Sequence, residues 1–124
     1  MTEDGESNMS ENRREFFRVI FNQALNGKVS VYGGNFLPVE IYDISAGGLV
    51  FSSVLNIPLG ESVRCSFEIL DSAFMLDGYV VRKATGVDVV KCGVEFSVDQ
   101  KTSSELFKQL NHYQIRNRKS FLTD

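Results

Sequence analysis

The sequence predicts a mainly β, antiparallel barrel or sandwich followed by a single helix, and three observations carry that expectation. Apolar and polar residues alternate with the two-residue period of half-buried strands in several short stretches. Turn signals separate those stretches at intervals of roughly a dozen residues, the spacing of hairpins and not of a βαβ fold. Past Asp99 the apolar period changes to that of a helix.

Residues 1–12 are acidic and polar, with Met9 the only apolar residue after the start. Such a segment buries too little surface to offset its ordering entropy, so it is expected to be a disordered acidic tail in the absence of ligand. The charge reverses abruptly at Arg13 and Arg14, apolar residues cluster from Phe16 to Phe21, and a strand is expected around Leu25 to Tyr32, ending at Gly33 and Gly34. Leu37, Val39 and Ile41 then alternate with Pro38, Glu40 and Tyr42. Asp43 and Ser45 continue the core-facing parity. An unpaired carboxylate is costly to bury, so the chain is expected to have left the core by Asp43, at the rim of a sheet.

Leu49 and Phe51 resume the pattern, and Pro58 to Gly60 read as a turn. The clearest alternation runs from Ser62 to Ile69, with Val63, Cys65, Phe67 and Ile69 on one face. Asp71 to Ala73 break it, a further strand spans Phe74 to Lys83, and Gly86 turns the chain. Val90, Cys92, Val94, Phe96 and Val98 form the last apolar face. Thr102 and Glu105 fit a capping box, and Leu106, Leu110 and Tyr113 fall at helical spacing. One amphipathic helix is expected over 103–117, laid on the open side or mouth of the barrel, with Arg116, Arg118 and Lys119 complementing its dipole. The domain is expected over 13–119, with 120–124 a short tail.

At 124 residues the chain has the size of one domain, and its 43% apolar and 23% charged content is ordinary for a soluble protein. A net charge of −3 argues against sequence-independent nucleic-acid binding, which draws its affinity from a positive field. No apolar run approaches the ~18 residues of a membrane-spanning helix, and the N-terminus lacks the apolar core of a signal peptide. A cytoplasmic protein is expected, with neither nucleic acid nor membrane insertion among its partners. Cys65 and Cys92 are read as buried thiols, and a single histidine, His112, leaves no metal set. Nor can a Ser–His–Asp or Cys–His set be assembled around His112, which is placed as a solvated residue of the helix, so no enzyme is expected.

Two polar clusters stand out from this frame. Asp43, Ser45 and Gly48 place an acceptor, a hydroxyl and a glycine within six residues, and glycine permits sharp turns and close backbone approach. Arg14 and Arg18, with Arg13 immediately before them, stand at the join between tail and barrel. A guanidinium donates two hydrogen bonds to O6 and N7 of guanine, or stacks on a purine face. A carboxylate accepts from guanine N1 and N2, an edge that rejects adenine. Backbone N–H groups, hydroxyls and further arginines suit phosphate. Together the clusters fit a compact guanine nucleotide.

With these residues in place, the chain resembles the PilZ domain family, which binds the bacterial second messenger cyclic di-GMP (c-di-GMP). The family signatures RxxxR and (D/N)xSxxG are matched by Arg14 with Arg18 and by Asp43, Ser45 and Gly48, in the family's order. Gly78 to Arg82 and Gly93 to Phe96 resemble its weaker strand patterns. The resemblance implies a small antiparallel six-stranded PilZ-type β-barrel with a C-terminal α-helix packed against it. It implies that Arg14 and Arg18 clamp guanines and phosphates, that Asp43 and Ser45 contact a guanine, and that Gly48 keeps the turn open. Arg13 resembles the residue of members that take two stacked ligands per chain. Val80, near the position of a base-stacking aromatic in some members, departs from the pattern.

The function this implies is that of a cyclic di-GMP receptor whose Arg arm closes over the ligand and whose reshaped surface engages an unidentified downstream protein. The alternative is a nucleotide-independent PilZ-like adaptor. A single-strand nucleic-acid binder on a small barrel is disfavoured by the acidic pI of about 5.2.

Overall fold

The computed structural model describes residues 17–123, with side chains through residue 117. Six strands follow one another: β1 (Arg18–Val31), β2 (Phe36–Ser45), β3 (Gly48–Ser53), β4 (Ser62–Ile69), β5 (Ser72–Thr85) and β6 (Val90–Phe96). One helix, α1 (Gln100–Thr123), completes the chain. All pairings are antiparallel, in the order β1-β2-β3-β6-β5-β4, and the pairing of β4 with β1 closes the barrel. Closure gives each of the six strands a partner on both sides over part of its length.

The alternating residues do what their period predicts. Val63, Cys65, Phe67 and Ile69 of β4, Leu76 and Val80 of β5, and Cys92 and Val94 of β6 are buried in one core with Ile41, Ile44, Leu49 and Phe51. Phe67 and Phe74 stack at 5.5 Å between ring centroids. Leu37 departs from the expected inward set: it is exposed, because the start of β2 projects beyond the closed part of the barrel.

Several boundaries differ from the sequence reading. The apolar cluster of Phe16 to Phe21 is largely the beginning of β1, which starts at Arg18 and runs 14 residues. The β4–β5 turn is only two residues long: Ile69 pairs with Ser72, and Leu70 and Asp71 take positive φ of 57° and 96°. Such a turn follows the twist of its strands, and it draws Ser72 and Ala73 into β5.

The helix begins at Gln100 and not at Ser103. Asp99 is the N-cap, its Oδ1 accepting the Thr102 N–H at 2.8 Å, so Thr102 sits inside the first turn and heads no capping box. The helix continues through the expected tail to Thr123, and Arg116 therefore lies well before its last turn. Leu106 and Leu110 are fully buried against the barrel, where α1 meets β2 and β4. Each contributes roughly 1.5–3 kcal/mol of apolar burial. Phe17 packs on Phe107 at 5.0 Å and Phe21 meets Tyr113 edge-on at 5.5 Å, tying the start of β1 to the helix.

Candidate functional site

The polar site is built around a bulge at Tyr42. On one side of β2, Ile20 pairs with Asp43 and Leu25 with Ile41; on the other, Val50 pairs with Asp43 and Phe51 with Ile41. β3 therefore skips Tyr42, whereas on the other side β1 bulges, with Phe21 to Ala24 lying between the partners of Asp43 and Ile41. An inserted residue resets the parity of everything beyond it. Ile41 and Ile44 both enter the core, fully buried, while Tyr42 and Asp43 stay partly exposed. The Asp43 carboxylate is out of the core, as the sequence suggested, and it gets there by one residue of bulge in a strand that remains paired to Ser45.

Arg18, the first residue of β1, stands opposite Ser45 in the register, and its Nη1 donates to Asp43 Oδ1 in an ion pair. The two side chains are 29% and 19% exposed. The second arginine of the RxxxR spacing and the aspartate of the other motif are thus brought together. Arg18 belongs to the barrel and not to a detached arm. Arg13 and Arg14 lie outside the described residues.

Ser45 and Gly48 shape the turn between β2 and β3. Ser45 is 2% exposed; its Oγ accepts the Gly47 N–H at 3.2 Å and lies 3.5 Å from the Gly48 carbonyl oxygen. Its hydroxyl holds the tight turn between β2 and β3. Gly48 opens β3, paired with Ser45 and Glu95. A Cβ there would stand 2.0 Å from the Val94 carbonyl oxygen, so the close approach of β6 requires a glycine. The Phe96 N–H donates to Gly47 O at 2.8 Å, clamping the turn onto β6.

Beside this turn lies the outer face of β3, β6 and β5. Asp43 pairs with Val50, Val50 with Gly93, and Gly93 with Arg82. The Arg82 side chain lies along the bare backbone of Gly93, at 3.3–3.4 Å from where a Cβ would be. Val80 is fully buried, so no side chain at that position could stack on a ligand. A register shift between Val80 and Arg82 leaves Val81 and Arg82 facing outward instead. Reading Val80 as the relevant position missed Arg82; the signal for it was the glycine opposite, visible in sequence only once the register is known. Lys91 Nζ sits 4.4 Å over the Tyr42 ring, a cation–π contact that adds a third cation to this face.

The arrangement provides guanidinium donors, one partly exposed carboxylate and a turn whose backbone is closely approached. It suits recognition of an anionic ligand with a donor-bearing base edge. Among the described residues no cluster of His, Cys, Asp or Glu could hold a metal, and no helix is long and apolar enough to cross a membrane. His112 is exposed on α1. Cys65 and Cys92 are free and buried, and burial pushes the Cys65 thiol up to about 12. A cleft of about 320 Å³, lined by Leu37, Val39, Val54 and Leu55 among others, sits away from this turn, at the far ends of β2 and β3.

A family model for the PilZ domain matches residues 12–112. No curated protein matches the chain in sequence. Solved structures of the same fold include the inhibitor of motility MotI/DgrA of Bacillus subtilis, 18% identical with a TM-score of 0.66, covering 82% of this chain and 51% of that one. YcgR of Escherichia coli in complex with c-di-GMP is 14% identical with a TM-score of 0.71, over 86% of this chain and 48% of that one. The PilZ domain of YcgR with c-di-GMP, also 14% identical, has a TM-score of 0.66 over 84% of this chain and 93% of that one. The chain thus spans about half the length of MotI and of YcgR.

Proposed function

The chain belongs to the PilZ domain family, and on that premise we propose that it is a cyclic di-GMP receptor without catalytic activity of its own. The observation that carries this reading is the meeting of Arg18 and Asp43: one residue from each signature, 25 positions apart, on the outer surface of the barrel. Ligand entry exchanges that ion pair for contacts to the dinucleotide. The Asp43 carboxylate accepts from a guanine N1/N2 edge while Arg18, joined by Arg14 and Arg13, takes guanine O6/N7 and phosphate oxygens. Ser45 holds the turn in shape, and Gly48 permits the β3–β6 approach that supports it. Arg82, across Gly93, adds a guanidinium able to stack on a base.

The path from ligand to surface runs through Phe17. It precedes Arg18 directly and packs on Phe107 of α1, so a ligand that draws the segment ahead of β1 toward the barrel bears on the helix as well. Such a response requires the ligand to bind the closed arrangement better than the open one. The reshaped surface then engages a downstream protein. In this reading residues 1–12 form a tail, and the receptor domain proper starts at Arg13.

The test is a calorimetric titration with cyclic di-GMP, with GTP and cyclic di-AMP as controls. Saturable binding of cyclic di-GMP alone is expected, with two ligands per chain if Arg13 acts as in pair-binding members. A flat isotherm overturns the receptor reading and leaves a nucleotide-independent adaptor.

A further inference from the structure

We propose that Glu95 and Tyr79 form a second base-recognition patch, which reads a guanine other than the one held at Asp43. The inference rests on the receptor reading above and extends it to residues outside either signature. Glu95 of β6 pairs on one side with Gly48, the last residue of the DxSxxG turn, and on the other with Tyr79 of β5. Val94 and Val80, their neighbours in sequence, are buried in the core, so Glu95 and Tyr79 project from the outer face of the barrel. Tyr79 is 49% exposed, and Glu95 is exposed. Among the described residues the ion pairs are Arg18 with Asp43 and Arg64 with Asp77, and Glu95 takes part in neither.

Directly paired residues of an antiparallel ladder hold their Cβ atoms about 5 Å apart. A purine laid on the Tyr79 ring therefore brings its edge to the Glu95 carboxylate, which offers two acceptors to guanine N1 and N2 and none of the donors adenine would need. Asp43 and Glu95 lie two strands and two residues apart along the sheet, about 12 Å. At that separation the two carboxylates meet different bases, in a ligand that carries two guanines. Gly48 and Gly93 leave the surface between them without large side chains of their own, apart from Arg82 lying over Gly93.

The sign of a substitution effect tests this assignment. A carboxylate that merely stands near an anionic ligand repels it, so neutralising a bystander raises affinity for every dinucleotide. A carboxylate that accepts from a base does the reverse. The Glu95→Gln protein is to be titrated with cyclic di-GMP and with mixed cyclic GMP–AMP, beside the unaltered protein and Glu68→Gln, the same charge change at an exposed position of β4. Cyclic di-GMP binding is expected to weaken about ten-fold in Glu95→Gln, the scale of one charge-assisted hydrogen bond, and mixed-dinucleotide binding less than two-fold, with Glu68→Gln unchanged. Tyr79→Ala is expected to weaken both dinucleotides. Unchanged or tighter binding by Glu95→Gln overturns the assignment while leaving the receptor reading intact, and so does an equal loss for both dinucleotides. Failure of the unaltered protein to bind either overturns the receptor reading and this patch with it.

Discussion

The Arg18 guanidinium donates to the Asp43 carboxylate across the β1–β2 pair, joining two motifs that the sequence separates by 25 residues. A partly exposed ion pair of this kind adds about 1 kcal/mol or less to folding, because water already solvates both partners well. Its weight in binding is larger. Arg18→Ala is expected to weaken cyclic di-GMP binding by roughly 10- to 100-fold, as loss of one charge-assisted contact of about 1–3 kcal/mol does. The melting temperature should fall by only a few degrees. A drop large enough to leave the protein unfolded at the titration temperature would assign Arg18 to the fold instead. In thermal melts the Arg18→Ala/Asp43→Ala double variant should lose less than the sum of the single losses, because either substitution alone already breaks the pair.

Gly48 provides a sharper test of the fold. A methyl group at this position would collide with the Val94 carbonyl oxygen, a backbone atom that cannot rotate away, so β3 must separate from β6. Gly48→Ala is expected to cost at least about 2 kcal/mol, within the range of overpacking, and to lower the melting temperature by roughly 10 °C. Gly86→Ala makes a fair comparison: its Cβ would sit 3.1 Å from Val89 O in an exposed hairpin turn, where the chain gives more easily. Differential scanning calorimetry of the two variants should separate them clearly; equal melting temperatures would show that the β3–β6 approach is not tight.

The two thiols predict a pH signature of another kind. Burial raises the Cys65 thiol from its ordinary value of 9.0 to about 12, and burial also raises Cys92, with Lys83 pulling it partly back. The unfolded chain ionises these groups near 9 while the native one does not. Their contribution to stability is therefore complete below about pH 9 and declines as pH rises from 9 toward 12. Native protein at pH 8 should resist alkylation by iodoacetamide at Cys65, and label there only after denaturant is added. Rapid native labelling of Cys65, followed by mass spectrometry, would contradict its burial.

Much of this architecture is legible in the chain because half-buried strands advertise their period. The faces of β4 and β6 follow from alternation alone, and the switch to helical spacing locates α1. The bulge at Tyr42 is not legible in the same way. Asp43 at core parity signals a conflict, but both a place at the rim of the sheet and an inserted residue resolve it, and only the pairing partners on β3 decide between them. The same holds for the site. Asp43, Ser45, Gly48 and Arg18 are visible as motif residues, yet the pairing of Ser45 with Arg18 and the β6 approach at Gly48 arise from contacts with strands distant in sequence. Arg82, Glu95 and Tyr79 belong to no compact spacing; register alone sets them beside the turn. The helix start was misread for a local reason, since Asp99 and Thr102 are both competent caps and the choice depends on where β6 delivers the chain.

That choice of cap has a consequence that can be measured. Asp99 accepts the Thr102 N–H through its side chain, and the Ser103 N–H donates to the Asp99 backbone carbonyl at 3.0 Å. The hydrogen bonds from Thr102 hold the Asp99 carboxyl below its ordinary value of 3.8. A carboxylate lowered on folding stabilises the native state above its unfolded value, and that stabilisation is lost as pH falls through the lowered native one. Unfolding of the native protein should therefore become easier on acidification below about pH 4, in part through Asp99. Asn caps helices comparably without a titrating charge, so Asp99→Asn should remain close to the native melting temperature at pH 7 and show a shallower decline between pH 4 and pH 2. Asp99→Ala should melt lower at pH 7, because the N–H groups of the first turn lose their acceptor. Were Thr102 the true cap, Asp99→Ala would leave the pH 7 melting temperature untouched and Thr102→Ala would lower it, so melts of the two alanine variants followed by circular dichroism distinguish the two starts of α1.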